Sequence, residues 1–150
     1  MPCRRPSGPD DRPVTSKDAP PTQSQGDRGR RELGRLAEEI ACRQLRKRGW
    51  KILDRNWRVR QGELDLVALD SDTVVFVEVK AGRENRVGPG PQRPVLAVGP
   101  AKQARLRRLA EAWVTRRCKG GYPDLRFDVI GIGFDLEGQP ESFEHIEGAF

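Results

Sequence analysis

The stretch GELDLVALDSDTVVFVEVK, residues 62–80, limits the possible folds more than any other part of the chain. About Glu63–Leu69 and about Thr73–Lys80 are β-prone runs, and Asp70-Ser71-Asp72-Thr73 between them has turn chemistry. A two-residue loop at Ser71-Asp72 pairs Asp70 with Thr73. The same register then sets Asp65 opposite Glu78 and Glu63 opposite Lys80. An odd loop or a bulge would shift it. Side chains alternate along a strand, so Glu78 and Lys80 share one face while Val75, Val77 and Val79 point to the other.

Directly opposed residues hold their Cβ atoms roughly 4.5–5.5 Å apart, and like charges at that spacing destabilise a sheet. A divalent cation between Asp65 and Glu78 would turn the repulsion into a binding site. Mg²⁺ suits the position because it commonly uses one or two carboxylates and keeps several waters; Mn²⁺ is the natural substitute. Lys80, one step along the same face, could reach a phosphate oxygen or a water. The competing reading is a solvated hairpin face on which Lys80 neutralises a neighbour. Spacing alone leaves both open.

With 150 residues the chain can build one domain with a real core. Its net charge of +6 makes a polyanion a natural partner, so nuclease, nucleic-acid binder and ribosome-associated protein all fit. Cys3, Cys42 and Cys118 form no CxxC pair, and with His145 they make no zinc pattern. Such a set is expected as reduced thiols in a cytoplasmic protein. There is no apolar run long enough to span a membrane and no apolar signal segment.

Residues 1–27 are rich in proline and nearly devoid of large apolar groups, which predicts a disordered tail. The domain is then 28–150. A helix is expected from about Arg28 to Arg48. Leu33, Leu36, Ala37, Ile40, Ala41 and Leu45 form its apolar stripe, Glu38 sits at the stripe's border, and Gly49 caps it. A strand over Lys51–Arg60 alternates Trp57 and Val59 with Arg58 and Arg60; Trp50 and Trp57 are expected in the core.

After Lys80, glycines and prolines predict a long mobile loop over 82–100, either a flap over substrate or an ordinary insertion. A second helix is expected over about Ala101–Lys119, with Leu106, Leu109, Ala110, Trp113 and Val114 as its apolar stripe. A strand over about Arg126–Phe134 and a weak edge strand near Ser142–Ile146 close the chain. Basic charge is concentrated in the two helices, an arrangement suited to a phosphate backbone.

The combination LGRLAEEIA at 33–41, LDRNWR at 53–58, GELDLVALD at 62–70, VVFVEVK at 74–80, AVGPAKQARLRRLA at 97–110, RFDVIGI at 126–132 and HIEGAF at 145–150 resembles the YraN-type bacterial family. That family is related to Holliday-junction resolvases within the PD-(D/E)XK nuclease superfamily. The resemblance covers about residues 30–150. It implies an α/β fold with a restriction-endonuclease-like core, a mixed central β-sheet flanked by helices. By the same resemblance Asp65 and Glu78 would be the metal carboxylates, Lys80 would orient or activate the attacking water, and Glu38 would be the helix-borne acidic residue of the catalytic set that aids metal or water positioning. Lys102 matches a family lysine with a phosphate-binding role, and Arg105 and Arg108 join it as expected nucleic-acid contacts.

The expected function is therefore a Mg²⁺-dependent endonuclease on branched or structured DNA, acting as a homodimer if it cuts two strands symmetrically. The alternative is a non-catalytic nucleic-acid-binding accessory protein that keeps the fold. A weaker third reading is a protein-interaction module whose basic helices bind an acidic partner.

Overall fold

The computed structural model describes residues 25–83, 98–121 and 123–150. Residues 1–24 of the expected tail and 84–97 of the expected 82–100 loop lie outside these residues, whereas 25–27, expected in the tail, begin the first helix. The element order is α1 (Gln25–Lys47), β1 (Lys51–Val59), β2 (Gly62–Asp70), β3 (Thr73–Arg83), α2 (Pro100–Arg117), β4 (Asp124–Phe134) and β5 (Pro140–Ile146). The five strands form one sheet in chain order. β3 and β4 are parallel, joined across α2, and the other neighbours are antiparallel. No helix among the described residues is long and apolar enough to cross a membrane.

The sheet separates two cores. Ala37, Ala41, Cys42 and Leu45 of α1 pack on Leu66, Ala68, Val75, Val77, Ile130 and Ile132. Leu106, Leu109, Ala110, Trp113 and Val114 of α2 pack on Val67, Val74, Phe76 and Val129 from the other side. A helix–sheet–helix sandwich follows from the alternation of β2 and β3, because strands apolar on both faces must be covered on both.

The stripe expected on α2 is buried in full. On α1 the stripe is narrower than expected: Leu36 is 41% exposed, and Cys42 is buried in its place. The buried set steps by four residues through positions 37, 41 and 45, which turns Leu36 to the outer edge. Gly49, at φ 85°, ends α1 with bonds from Gly49 N to Arg46 O and from Trp50 N to Leu45 O. Trp50 then folds back onto Leu45 in the same core.

The far edge of the sheet is tied by a buried charge. Asp128 is fully buried and accepts hydrogen bonds from Arg126 (2.9 and 3.1 Å), the Gly148 N–H (3.0 Å) and His145 Nε2 (2.8 Å). Arg48 reaches the other ring nitrogen of His145 at 2.8 Å. A guanidinium can only donate, so Nδ1 accepts and Nε2 carries the proton given to Asp128. Arg126 also bonds Asp70 at 3.1 Å and lies over the Trp50 ring. One carboxylate thereby joins the hairpin turn, the end of α1, β4 and β5.

Candidate functional site

β2 and β3 pair from Asp70↔Thr73 to Leu66↔Val77, in the register expected from the turn. Ser71 accommodates the turn with a positive φ of 54°. One step further the strands part. β2 stays with β1 through Trp57↔Leu64 and Arg58↔Glu63, and β3 stays with β4 through Glu78↔Val129 and Lys80↔Gly131. Asp65 and Glu78 are the first residues beyond this fork. The alternation of β2 breaks at the same place: Leu66 enters the core under α1 and Leu64 the core under α2. Across from Asp65, Asn56 has a positive φ of 48°.

Two expectations change at the fork. Glu63 does not face Lys80; it pairs with Arg58 on β1, Nε to Oε2 at 2.9 Å. Residues 82 and 83 are not loop but the end of β3, because β4 runs beside them to Phe134. The alternation of β3 itself is as expected, with Val75 and Val77 on the α1 side and Glu78 opposite them.

Glu78 is only 6% exposed. A carboxylate that buried requires cationic or hydrogen-bonding partners. It has two: Lys80 Nζ at 3.3 Å from Oε1, and Lys102 Nζ in direct hydrogen bond to the same oxygen. Asp65 accepts the Val79 N–H at 2.9 Å. Burial, and then the charge of Glu78, nevertheless push the Asp65 carboxyl up to about 7 against that hydrogen bond. Burial also lowers the Lys80 ammonium, aided by its neighbour Lys102. Burial alone would lower Lys102 too, but its bonds to Glu78 and Lys80 outweigh that and hold it above the ordinary lysine value.

Above these groups opens a cavity of about 620 Å³. Asp65 and Glu78 line it from the sheet, Gly34 and Glu38 from α1, and Lys102 and Arg105 from α2. The fourth wall is the β1–β2 end, with Arg58, Arg60, Gly62 and Glu63. Of the residues expected in the site, Glu38, Asp65, Glu78, Lys102 and Arg105 meet in this cavity. Lys80 reaches it only through Glu78, and Arg108 is exposed outside it. The sequence reading left Arg58 and Arg60 without a role. Their signal was position: they flank the turn leading directly into Glu63 and Asp65.

The donor set fits a small divalent cation such as Mg²⁺. Asp65 and Glu78 offer oxygen ligands, and burial and the charge of Glu78 hold the Asp65 carboxyl up although Lys102 pulls it the other way. Among the described residues no group of three or more His, Cys, Asp or Glu side chains is gathered for a metal. Mg²⁺ does not need one, since waters complete its shell.

Residues 37–132 match the model of a family described as "Uncharacterised protein family UPF0102". A UPF0102 protein of Streptomyces griseus is 46% identical over 118 residues, covering 77% of this chain and 93% of the relative. One from Acidothermus cellulolyticus is 44% identical over 130 residues, covering 81% and 95%. A third, from Chlorobium chlorochromatii, is 45% identical over 123 residues, covering 79% and 91%. The matched region spans both site strands and all of α2.

Proposed function

This chain belongs to the UPF0102 family, and we propose that it is a Mg²⁺-dependent endonuclease with a PD-(D/E)XK-type core, binding and cleaving branched or structured DNA. The observation that carries the reading is the fork: two acids where β2 and β3 part, two lysines on the more buried acid, and an arginine-edged cavity above. Here the charged groups converge on an opening that a sugar–phosphate segment can enter.

Asp65 and Glu78 would hold the cation, which when bound supplies charge neutralisation at the phosphate and a more acidic water. The remaining roles belong to the chain. Lys80, whose ammonium lies 3.3 Å from Oε1 of the cavity-lining Glu78, is suited to orient the attacking water. Glu38 adds negative charge beside Asp65. Arg58, Arg60 and Arg105 stand where flanking phosphates would pass, which fixes the strand's position without reading its sequence.

Four-way junction, flap and single-stranded DNA incubated with the full chain and Mg²⁺ or Mn²⁺ test this. Cleavage of a branched substrate is expected, with Asp65→Ala and Lys80→Ala losing at least about 100-fold in rate while retaining binding. The second reading, a binding protein without cleavage, draws on the same basic rim. It prevails if DNA binds in a salt-sensitive manner and no strand is cut with either metal.

A further inference from the structure

We infer that Lys102 is a built-in counter-cation of the site: its ammonium occupies Glu78 until a divalent cation takes its place, and then turns to a phosphate oxygen. This rests on the reading of Asp65 and Glu78 as metal ligands. It concerns what the protein does at that site before metal arrives.

Three observations point to Lys102 rather than Lys80 as the group that leaves. Lys102 bonds directly to Glu78 Oε1, whereas Lys80 stands at 3.3 Å from the same oxygen. Lys102 comes from the first turn of α2 and lines the cavity, so its side chain has open space to enter; Lys80 is fixed on the same strand as Glu78 and is not among the cavity's lining residues. Finally, a lysine in the first turn of a helix sits at the positive end of the helix dipole, and this first turn holds no acid to offset it. Glu78 is what keeps Lys102 there.

A small divalent ion approaches a carboxylate oxygen to about 2.0–2.1 Å. An ammonium on that oxygen blocks the approach and repels the ion, so cation entry and Lys102 departure are one exchange. Once displaced, Lys102 shares a helix face with Arg105, three residues along, which also lines the cavity. The exchange thus delivers a positive charge to the surface where a phosphate would lie. Linkage makes the effect reciprocal: an anion that draws Lys102 away strengthens cation binding by the same factor.

Two measurements on the full chain test this. Titration calorimetry with Mn²⁺, without nucleic acid, compares the native protein with Lys102→Met, which keeps length and loses charge. The variant is expected to bind Mn²⁺ about tenfold tighter or more. Reductive methylation of the native protein, read by mass spectrometry, follows Lys102 with and without Mn²⁺, using exposed Lys119 as the control. Labelling of Lys102 is expected to rise with the metal while Lys119 stays constant. If Lys102→Met does not fold, the methylation experiment decides alone. Equal Mn²⁺ affinity, or Mn²⁺ binding with Lys102 labelling unchanged, overturns the exchange and leaves the metal site standing. No Mn²⁺ binding to either protein overturns the metal-ligand reading, and the exchange with it.

Discussion

A carboxyl pushed up to about 7 holds its proton where an ordinary aspartate is ionised, and Asp65 is such a group. With a folded value above the unfolded one, its contribution to stability is fully present below about pH 4. It is lost as pH rises through about 7. In metal-free protein, Asp65→Asn removes that loss. Urea unfolding should show the variant gaining on the native protein by about 1–3 kcal/mol between pH 4.5 and pH 8. A difference independent of pH would contradict the protonated state assigned to Asp65. The register from Asp70↔Thr73 to Leu66↔Val77 was legible from the turn chemistry, because a hairpin turn sets its own register, but the ladder ends there and the expected pairing of Asp65 with Glu78 is not part of it. That Lys102 sits on Glu78 was not legible, since nothing local relates positions 24 residues apart on a strand and a helix.

At the scale of the element, α2 and the β1–β2 end close on each other over one glycine. Gly62 has φ 148°, and a Cβ built there would lie 3.2 Å from Leu109 Cδ1 and 3.8 Å from Arg105 Cδ. Gly62→Ala therefore strains the backbone and presses on the helix that carries Lys102 and Arg105. A loss of about 1–3 kcal/mol in urea unfolding is expected, with weakened DNA binding in a gel-shift assay. Unchanged stability would mean that α2 yields freely. The strands were legible from their alternation, but their ends were not. Ala81–Arg83 lack strand composition and are strand because β4 pairs with them. Glu63 met Arg58 rather than Lys80 because, beyond the fork, β2 has only β1 as a partner.

The whole molecule depends on Asp128 as much as on either helix. Burial alone would raise its carboxyl, but hydrogen bonds from His145, Arg126 and the Gly148 N–H outweigh it and hold the group below the ordinary value. Its contribution is present above about pH 4 and is lost as pH falls through the depressed folded value. Asp128→Ala leaves His145 and Arg126 facing a buried gap. A loss of about 3–5 kcal/mol is expected at pH 7, read from the urea midpoint, and less than 1 kcal/mol would show the cluster dispensable. The sequence suggested a strand at Arg126–Phe134 but gave no sign of this cluster, whose members come from the turn after α1, the hairpin, β4, β5 and the chain just beyond β5.

The order of strands also has a kinetic consequence. β1, β2 and β3 form a meander joined by tight turns, whereas β4 can pair with β3 only after the chain has looped through α2. Closing the longer loop carries the greater entropic cost, and parallel pairing waits on it. Asp65 and Glu78 therefore come together on the part of the chain that assembles locally, before the helix bearing Lys102 can dock. A nascent meander meets its own acid repulsion first, before Lys102, one of the two lysines on Glu78, arrives to offset it.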